Sequence, residues 1–584
     1  MLTKQTEINK ALAELNGFVP EINPFLFMTD SYKVSHIRFE TGGISEIYSN
    51  FIARFCKYMQ EMLGDAYDQK FVVFGVQYLI LRLHHMATYG FFARDKKEVI
   101  DEMKAVHGAY IGNADFEHFE ALHDLGYLPI EVKALPEGTV APVGNAFFTI
   151  RNTLPEFEWL PNYLESGIST ELWKPLTVAT VGRTIRQISD KFAIETTGSN
   201  AGVEFQNHDF HVRGASGFES AGICGVAFLL SSCGTDNLPA LWTADKFYQT
   251  KVTDGLLAGS VPAGEHSVTT SGILAEVARA KAVGVDLDLT GAEYSYARSV
   301  MVDKFPTGIV SYVADSFDYW TFVTRILPHL KDDVMSRDGK FVVRGDSGNP
   351  VHVIAGYRIQ EFITDFDGKA FNSWQDVELA VGQDGDQPEV VKFGDEYKLL
   401  DWSGCSEDEI LFAWKDITSY EAHGTIECLW EIFGGTVNDL GYRVLDSHIG
   451  MIYGDGITPQ RQTEILQRLK EKKLASTNVV FGVGSYTLNM LSRDHLGMAI
   501  KATNQIINID GVDVDQPIYK DPKTDQTKKS KRGLLRVVDG DNGLVTLDLQ
   551  TREEEQQGLL QVIYRDGKIT QLENIFEIRE RLWG

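Results

Sequence analysis

The residues best placed to do chemistry lie where strand-like runs give way to glycine-rich turns. In GMIYGDGITPQRQTEILQRLKEK, 450 to 472, Met451 to Tyr453 read as a strand end and Gly454, Asp455 and Gly456 as the turn. Thr458 followed by Pro459 then reads as an N-cap with proline at the first helical position. Backbone freed of side chains at two glycines and opening onto a helix N-terminus is a site for an anion. NVVFGVGSYTLNMLSRD, 478 to 494, repeats the plan: a strand, a loop through Gly482, Gly484 and Ser485, and a helix predicted to carry Arg493. Two such consecutive units match the way barrel enzymes seat a phosphate on their last βα loops.

Further strand ends carry acid and base together. KFVVRGDSGNP, 340 to 350, places Arg344 and Asp346 after an apolar run, and IVSYVADSFDYW, 309 to 320, does the same for Ser311 and Asp315. An arginine can fork onto a phosphate while a carboxylate takes a hydrated Mg²⁺ or a sugar hydroxyl. EFQNHDFHVRGASG, 204 to 217, gathers His208, Asp209, Phe210 and Arg213, and GSVPAGEHSV, 259 to 268, presents Glu265 and His266. No HExxH, GxSxG or Walker sequence is present, so metalloprotease, α/β-hydrolase and P-loop readings have no support.

The elements needed to hold these loops are legible in the patterning. LPIEVKALPEGTVAPVGNAFFTIRNT, 128 to 153, alternates with period two between turn residues and predicts short antiparallel strands. From about 175 to 500, apolar runs ending in Gly/Asp/Ser loops are followed by helical periodicity, the mark of βα units around a parallel sheet. The segment 361 to 420 holds 15 acidic residues against four lysines, −11 of a net −27. Its aromatic residues, among them Trp374, Tyr397, Trp402 and Trp414, make it a folded insertion, read as a solvated surface or a dock for a basic partner. YKDPKTDQTKKSKRG, 519 to 533, reverses the asymmetry with six basic and two acidic residues.

The charge of −27 over 584 residues excludes a general nucleic-acid or anionic-membrane surface. Five cysteines without a Cys-x-x-Cys pair argue against a disulfide framework or zinc site. Without a leader-like or membrane-spanning apolar run, the expectation is a soluble cytoplasmic protein.

In this order the segments resemble the nicotinamide phosphoribosyltransferases. The matching blocks are TDSYKVSH (29–36), YSNFIAR (48–54), FGVQY (74–78), LPIEVKALPEG (128–138), NHDFHVRG (207–214) and CGTD (233–236). SVPAGEHS (260–267), RGDSGNP (344–350), YGDGI (453–457), FGVGS (481–485) and IKAT (500–503) complete the set. The resemblance implies an irregular (β/α) barrel of the type II phosphoribosyltransferase kind, joined to a β-rich domain built from the N- and C-terminal segments. Its expected borders are 1–175, 176–496 with the acidic insertion at about 355–440, and 497–584.

It further implies formation of nicotinamide mononucleotide and pyrophosphate from nicotinamide and phosphoribosyl pyrophosphate in NAD salvage, with Mg²⁺, by a homodimer with shared active sites. By resemblance, Phe210 and a partner subunit's Tyr32 sandwich the pyridine ring, and Asp236 accepts from the carboxamide. Stacking grips a flat ring, and a carboxylate favours an amide donor over anionic nicotinate. Arg213, Arg344, Asp346, Gly454, Asp455, Gly484, Ser485 and Arg493 resemble residues that hold the phosphoribosyl group, with Asp346 the candidate carboxylate for Mg²⁺. Arg54, Lys501, Lys520 and Lys528 resemble the partner subunit's basic residues near pyrophosphate, and Ser260 and Ser311 resemble pocket residues near the base. His266 matches a histidine phosphorylated by ATP, a facultative co-substrate, and Asp315 matches its carboxylate partner.

The chain departs from the family pattern in places. His211 and Val212 replace a glycine and an aromatic, GVGSY replaces a run of glycines, Gly345 replaces a proline, and the acidic insertion has no counterpart in compact members. Competing readings are a nicotinate phosphoribosyltransferase of the same fold, a silent binding protein docking a basic partner through the insertion, and a phosphosugar isomerase or aldolase. The last lacks an identifiable base or Schiff-base lysine.

Overall fold

The computed structural model describes residues 7–10, 25–112, 115–363, 370–381, 388–401, 413–454, 456–520 and 530–584. The chain divides into two compact units: residues 1–184, 211–258 and 488–584 form the first, and 185–210 with 259–487 the second.

The first unit is built on a seven-stranded antiparallel sheet in the order Val512–Pro517, Ala499–Ile509, Ile44–Ile52, Ala146–Asn152, Ile130–Ala134, Gln561–Arg565, Lys568–Ile569. The strands predicted between 128 and 153 are Ile130–Ala134, Val140–Pro142 and Ala146–Asn152. N- and C-terminal segments thus share one sheet, and a buried ion pair fastens them: Lys133 Nζ lies 2.6 Å from Glu555 Oε1, both almost wholly out of water. Breaking such a pair from one side strands a buried charge, at a cost of about 3–5 kcal/mol.

Within the second unit five parallel strands line up, labelled here β1 (Asn207–Asp209), β2 (Thr307–Val313), β3 (Asp338–Gly345), β4 (Ile449–Tyr453) and β5 (Val479–Val483). Their spatial order is β1-β5-β4-β3-β2, the βα arrangement expected from the sequence, curled as a half-barrel. Parallel strands covered on both faces need apolar runs, and FVV in β3 and GMIY in β4 supply them. The helices that concern the site are α1 (His266–Ala282), α2 (Leu289–Ser299) and α3 (Pro459–Glu471).

The acidic insertion is folded among its described residues. Ile359–Glu361, Val390–Phe393, Glu396–Asp401 and Ala413–Ile417 form a four-stranded sheet beside helix Trp374–Val381. Val377, Val381, Val391 and Leu400 make a small core against Trp374, Phe393 and Trp414. Its two ends touch: a Cβ on Gly424 would fall 2.2 Å from Gly356 N, and one on Gly356 2.4 Å from Ala422 O. Both glycines also have positive φ, so the neck requires glycine twice. Arg468 of α3, 2% exposed, ties the insertion down with bonds of 2.6 and 2.7 Å to Glu389 and 2.9 Å to Gly356 O.

Candidate active site

The C-terminal ends of β2, β3, β4 and β5 bring together most of the second unit's expected residues. Strand β3 stops at Gly345, so Arg344 is its last side chain and Asp346 the first of the loop. Gly454 follows β4, and its N–H donates to Gly345 O at 3.0 Å. A Cβ there would meet Asp346 Oδ1 at 2.5 Å and Arg344 Nε and Nη2 at 2.8 Å. Glycine at 454 is therefore what lets the arginine and the carboxylate lie against the backbone that follows β4. Tyr453, buried, fixes the facing loop by donating to the carbonyls of Ser347 at 2.9 Å and Gly348 at 3.1 Å.

Arg344 spans two kinds of contact. Its guanidinium carbon sits 5.2 Å from the centre of the Phe210 ring, and its Nη2 is 3.6 Å from Asp346 Oδ2. Arg344 Nε and Asp346 Oδ1 are buried without a hydrogen-bond partner among the described residues. A buried donor and acceptor left open cost stability unless a ligand completes them. Phe210 follows β1 and is seated by its N–H to Val483 O at 3.0 Å and by the His208 ring at 4.7 Å. Gly482 leaves room for it, since a Cβ at 482 would fall 2.8 Å from the Phe210 ring.

His266 opens α1. Its Nε2 is 3.0 Å from Asp315 Oδ1 and its Nδ1 3.9 Å from Asp346 Oδ2. The other Asp315 oxygen accepts from Asp346 N–H at 3.0 Å and Ser347 Oγ at 2.7 Å, so one buried carboxylate aligns both the histidine and the loop that follows β3. Glu293 of α2, 3% exposed, feels Asp315 and Asp318; burial first, then those carboxylates, push its pKa up to about 7. Ser311 lies in β2, where its backbone pairs with Pro262 and Gly264, and its buried Oγ has no partner among the described residues; Ser260 is exposed.

The helix start forms as expected: Thr458 caps α3 by accepting from Arg461 N–H, with Pro459 at the first helical position. Gly484 has open space where a Cβ would stand, and Ser485 begins a four-residue helix, Ser485–Leu488. The predicted helix carrying Arg493 does not exist. Ser492 starts a separate 3₁₀ turn, Arg493–His495, by closing a reciprocal cap with His495. Ser492 offers the backbone a local side-chain hydrogen bond that competes with helix continuation.

The first unit carries the remaining residues. Tyr32, 58% exposed, stands on the 3₁₀ helix Ser31–Arg38, which the buried Lys33 anchors to Asn162 and Glu165. Arg213 and Asp236 are exposed, Asp236 directly before the Asn237 cap of helix Leu238–Tyr248. Lys501 is surrounded by Arg54, Lys520 and Arg493; burial first, and then these three cations, lower its pKa against the pull of Glu165. Such a cluster of positive charge fits a polyanion. Asp455 and Lys528 lie outside the described residues. Sequence reasoning missed Tyr453, Ser347 and Glu293, whose roles come from contacts that no local motif encodes.

Residues 205–568 match the model of the nicotinate phosphoribosyltransferase (NAPRTase) family. A nicotinamide phosphoribosyltransferase of Acinetobacter baylyi is 36% identical over 96% of this chain and 97% of its own length. The chain belongs to the NAPRTase family. It is therefore an enzyme of phosphoribosyl transfer. Enzymes of the same name from Xanthomonas campestris and Mycoplasma pneumoniae are each 30% identical, over 88% and 73% of this chain and 88% and 74% of their own lengths. Among the described residues no helix is long and apolar enough to cross a membrane.

Proposed function

We propose that this family member transfers the phosphoribosyl group of phosphoribosyl pyrophosphate to nicotinamide, giving nicotinamide mononucleotide and pyrophosphate for NAD salvage. The observation that carries the reading is the Arg344 constellation: one guanidinium within 5.2 Å of an aromatic platform and 3.6 Å of a carboxylate, packed on a glycine phosphate loop. The near full-length likeness to enzymes named nicotinamide phosphoribosyltransferase supports the choice of base.

The C1–O bond to pyrophosphate breaks as the pyridine nitrogen closes on C1, and the sugar passes through an oxocarbenium-like state. No protein nucleophile is required. The chain's part is to orient the two reactants and to stabilise the departing negative charge. Phe210 stacks the ring, and Arg344 with the 454–458 backbone holds the 5-phosphate. Asp346, with its open buried oxygen, takes a ribose hydroxyl or a water of Mg²⁺. Mg²⁺ bound through the substrate's phosphates would neutralise pyrophosphate, and no cluster of three ligating side chains exists among the described residues to hold it otherwise. Arg54, Lys501 and Lys520 of the partner subunit receive pyrophosphate, Arg493 joins the phosphoribosyl pocket, and Asp236 selects the amide. In a homodimer Tyr32 completes the ring site of the partner. His266, aligned by Asp315, is the acceptor for facultative phosphorylation by ATP.

The test is to offer nicotinamide and nicotinate in parallel, with phosphoribosyl pyrophosphate and Mg²⁺, with and without ATP, and to quantify both mononucleotides by chromatography. Amide mononucleotide alone is expected. Acid mononucleotide alone overturns the choice of base and keeps the family. Neither product removes the enzymatic reading in favour of a docking role for the insertion.

A further inference from the structure

The phosphate loop and the ring platform are linked beneath the site by three side chains with no part in either. Gln462, on the first turn of α3, is 1% exposed; Asn207 of β1 and Ser189, in the helix Leu160–Thr197, are wholly buried. Gln462 Nε2 donates to Ser189 Oγ at 2.8 Å and to Asn207 Oδ1 at 3.0 Å, and Asn207 Nδ2 donates to Ser189 Oγ at 3.0 Å. The triangle is closed. One corner stands four residues after Thr458, the cap that ends the phosphate loop, and another stands three residues before Phe210.

As a device for stability alone the triangle is a poor one. Gln462 Oε1 is buried without a partner among the described residues. Apolar side chains of the same shape at both 462 and 207 would leave no orphan acceptor at either position. What the amide supplies, and an apolar contact does not, is directional register between two elements. A second brace runs parallel: Thr487 Oγ1, one turn beyond Gly484, donates to Ile457 O at 2.7 Å. It holds the second glycine loop to the first.

We propose that Gln462 is a positioning residue: through Asn207 and Ser189 it sets the separation between the ring stacked on Phe210 and the sugar phosphate on the 454–458 loop. The assignment rests on the phosphoribosyl-transfer reading. In that reaction each substrate binds its own element, and rate depends on how closely nitrogen and C1 are brought into line. A misplacement of about 1 Å can cost on the order of 100-fold while leaving each half-site able to bind.

The experiment uses Gln462→Met, Asn207→Leu and the double variant, each assayed well below its own Tm with the folded fraction measured by circular dichroism. The expected result is a fall in kcat of about tenfold or more in each single variant, with KM for nicotinamide and for phosphoribosyl pyrophosphate within about threefold of wild type. The double variant should be no slower than the slower single one, because both remove the same link. Unchanged kcat per folded molecule, additive losses, or a rise in one KM alone overturns the proposal.

Hydrogen exchange supplies a readout that needs no turnover. Gln462→Met should speed exchange across 207–213, and Asn207→Leu across 458–463, each by on the order of tenfold. Changes confined to the substituted element overturn the link. A wild-type protein that makes no mononucleotide sinks the functional reading, and the exchange arm then decides the link by itself.

Discussion

Among the glycines of the candidate site, Gly454 meets the closest neighbour. In Gly454→Ala the new methyl would lie 2.5 Å from Asp346 Oδ1, against 3.4 Å for ordinary contact, so about 0.9 Å must be found by movement. Backbone leading into Gly454 is held by β4 and by Gly454 N–H to Gly345 O, so Asp346 and Arg344 are the groups that give way. Both are side chains with some freedom, and the fold should lose only about 1–3 kcal/mol. Their displacement, however, moves together the two groups proposed to hold phosphate and ribose. The expected loss is roughly 100-fold in kcat/KM, about 2.7 kcal/mol of transition-state stabilisation. The assay is initial-rate formation of nicotinamide mononucleotide against phosphoribosyl pyrophosphate concentration, alongside urea denaturation. Gly484→Ala is the matched control: no atom lies within 4 Å of its Cβ and its φ is not left-handed, so fold stability should not change. A Gly454→Ala enzyme within about threefold of wild-type kcat/KM would refute the argument. So would equal destabilisation by both alanines.

Asp236→Asn should erode the preference for nicotinamide over nicotinate, read as the ratio of the two kcat/KM values, because the anionic acid no longer meets a carboxylate; an unchanged ratio removes Asp236 as selector. Burial raises the Glu293 pKa from 4.5 to about 7, so the folded state binds the proton more tightly than the unfolded one and stability falls as pH rises from 4.5 to about 7. Above that it is flat. Glu293→Gln should therefore gain on wild type across that window, by up to about 3 kcal/mol, in urea titrations at about pH 5 and about pH 8; parallel pH profiles would contradict this. Joining Gly356 to Gly424 in place of 357–423 should keep turnover, since those ends already touch. Arg468 then loses Glu389 but keeps Glu464, so the excised protein should be about 1.5–3 kcal/mol less stable and be partly restored by Arg468→Met. Loss of mononucleotide formation from the folded, excised protein would give the insertion a catalytic part.

Local sequence determined what local physics controls. Thr458 and Pro459 fixed the start of α3, because a cap and a preset φ act within one turn. Period-two alternation set the strands between 128 and 153, and apolar runs ending in glycine and acid set the parallel units. Aromatic content marked the acidic insertion as folded. The absence of a helix through Arg493 was less legible, because Ser492 capping His495 competes with helix propensity over only a few residues.

Tertiary structure alone decided the rest. That Asp315 aligns His266 with one oxygen and the Asp346 loop with the other depends on β2 and β3 being neighbours, which no spacing between 266, 315 and 346 records. The need for glycine at 454 arises from side chains more than 100 residues earlier in the chain, Arg344 and Asp346. Gln462, Asn207 and Ser189 carry no motif, and their amides and hydroxyl gain meaning only when burial leaves each with the others as its hydrogen-bond partners. Sequence sets the preferences that a few neighbouring residues can express. The pairing of strand ends, and with it the chemistry they share, is set by which surfaces must leave water together.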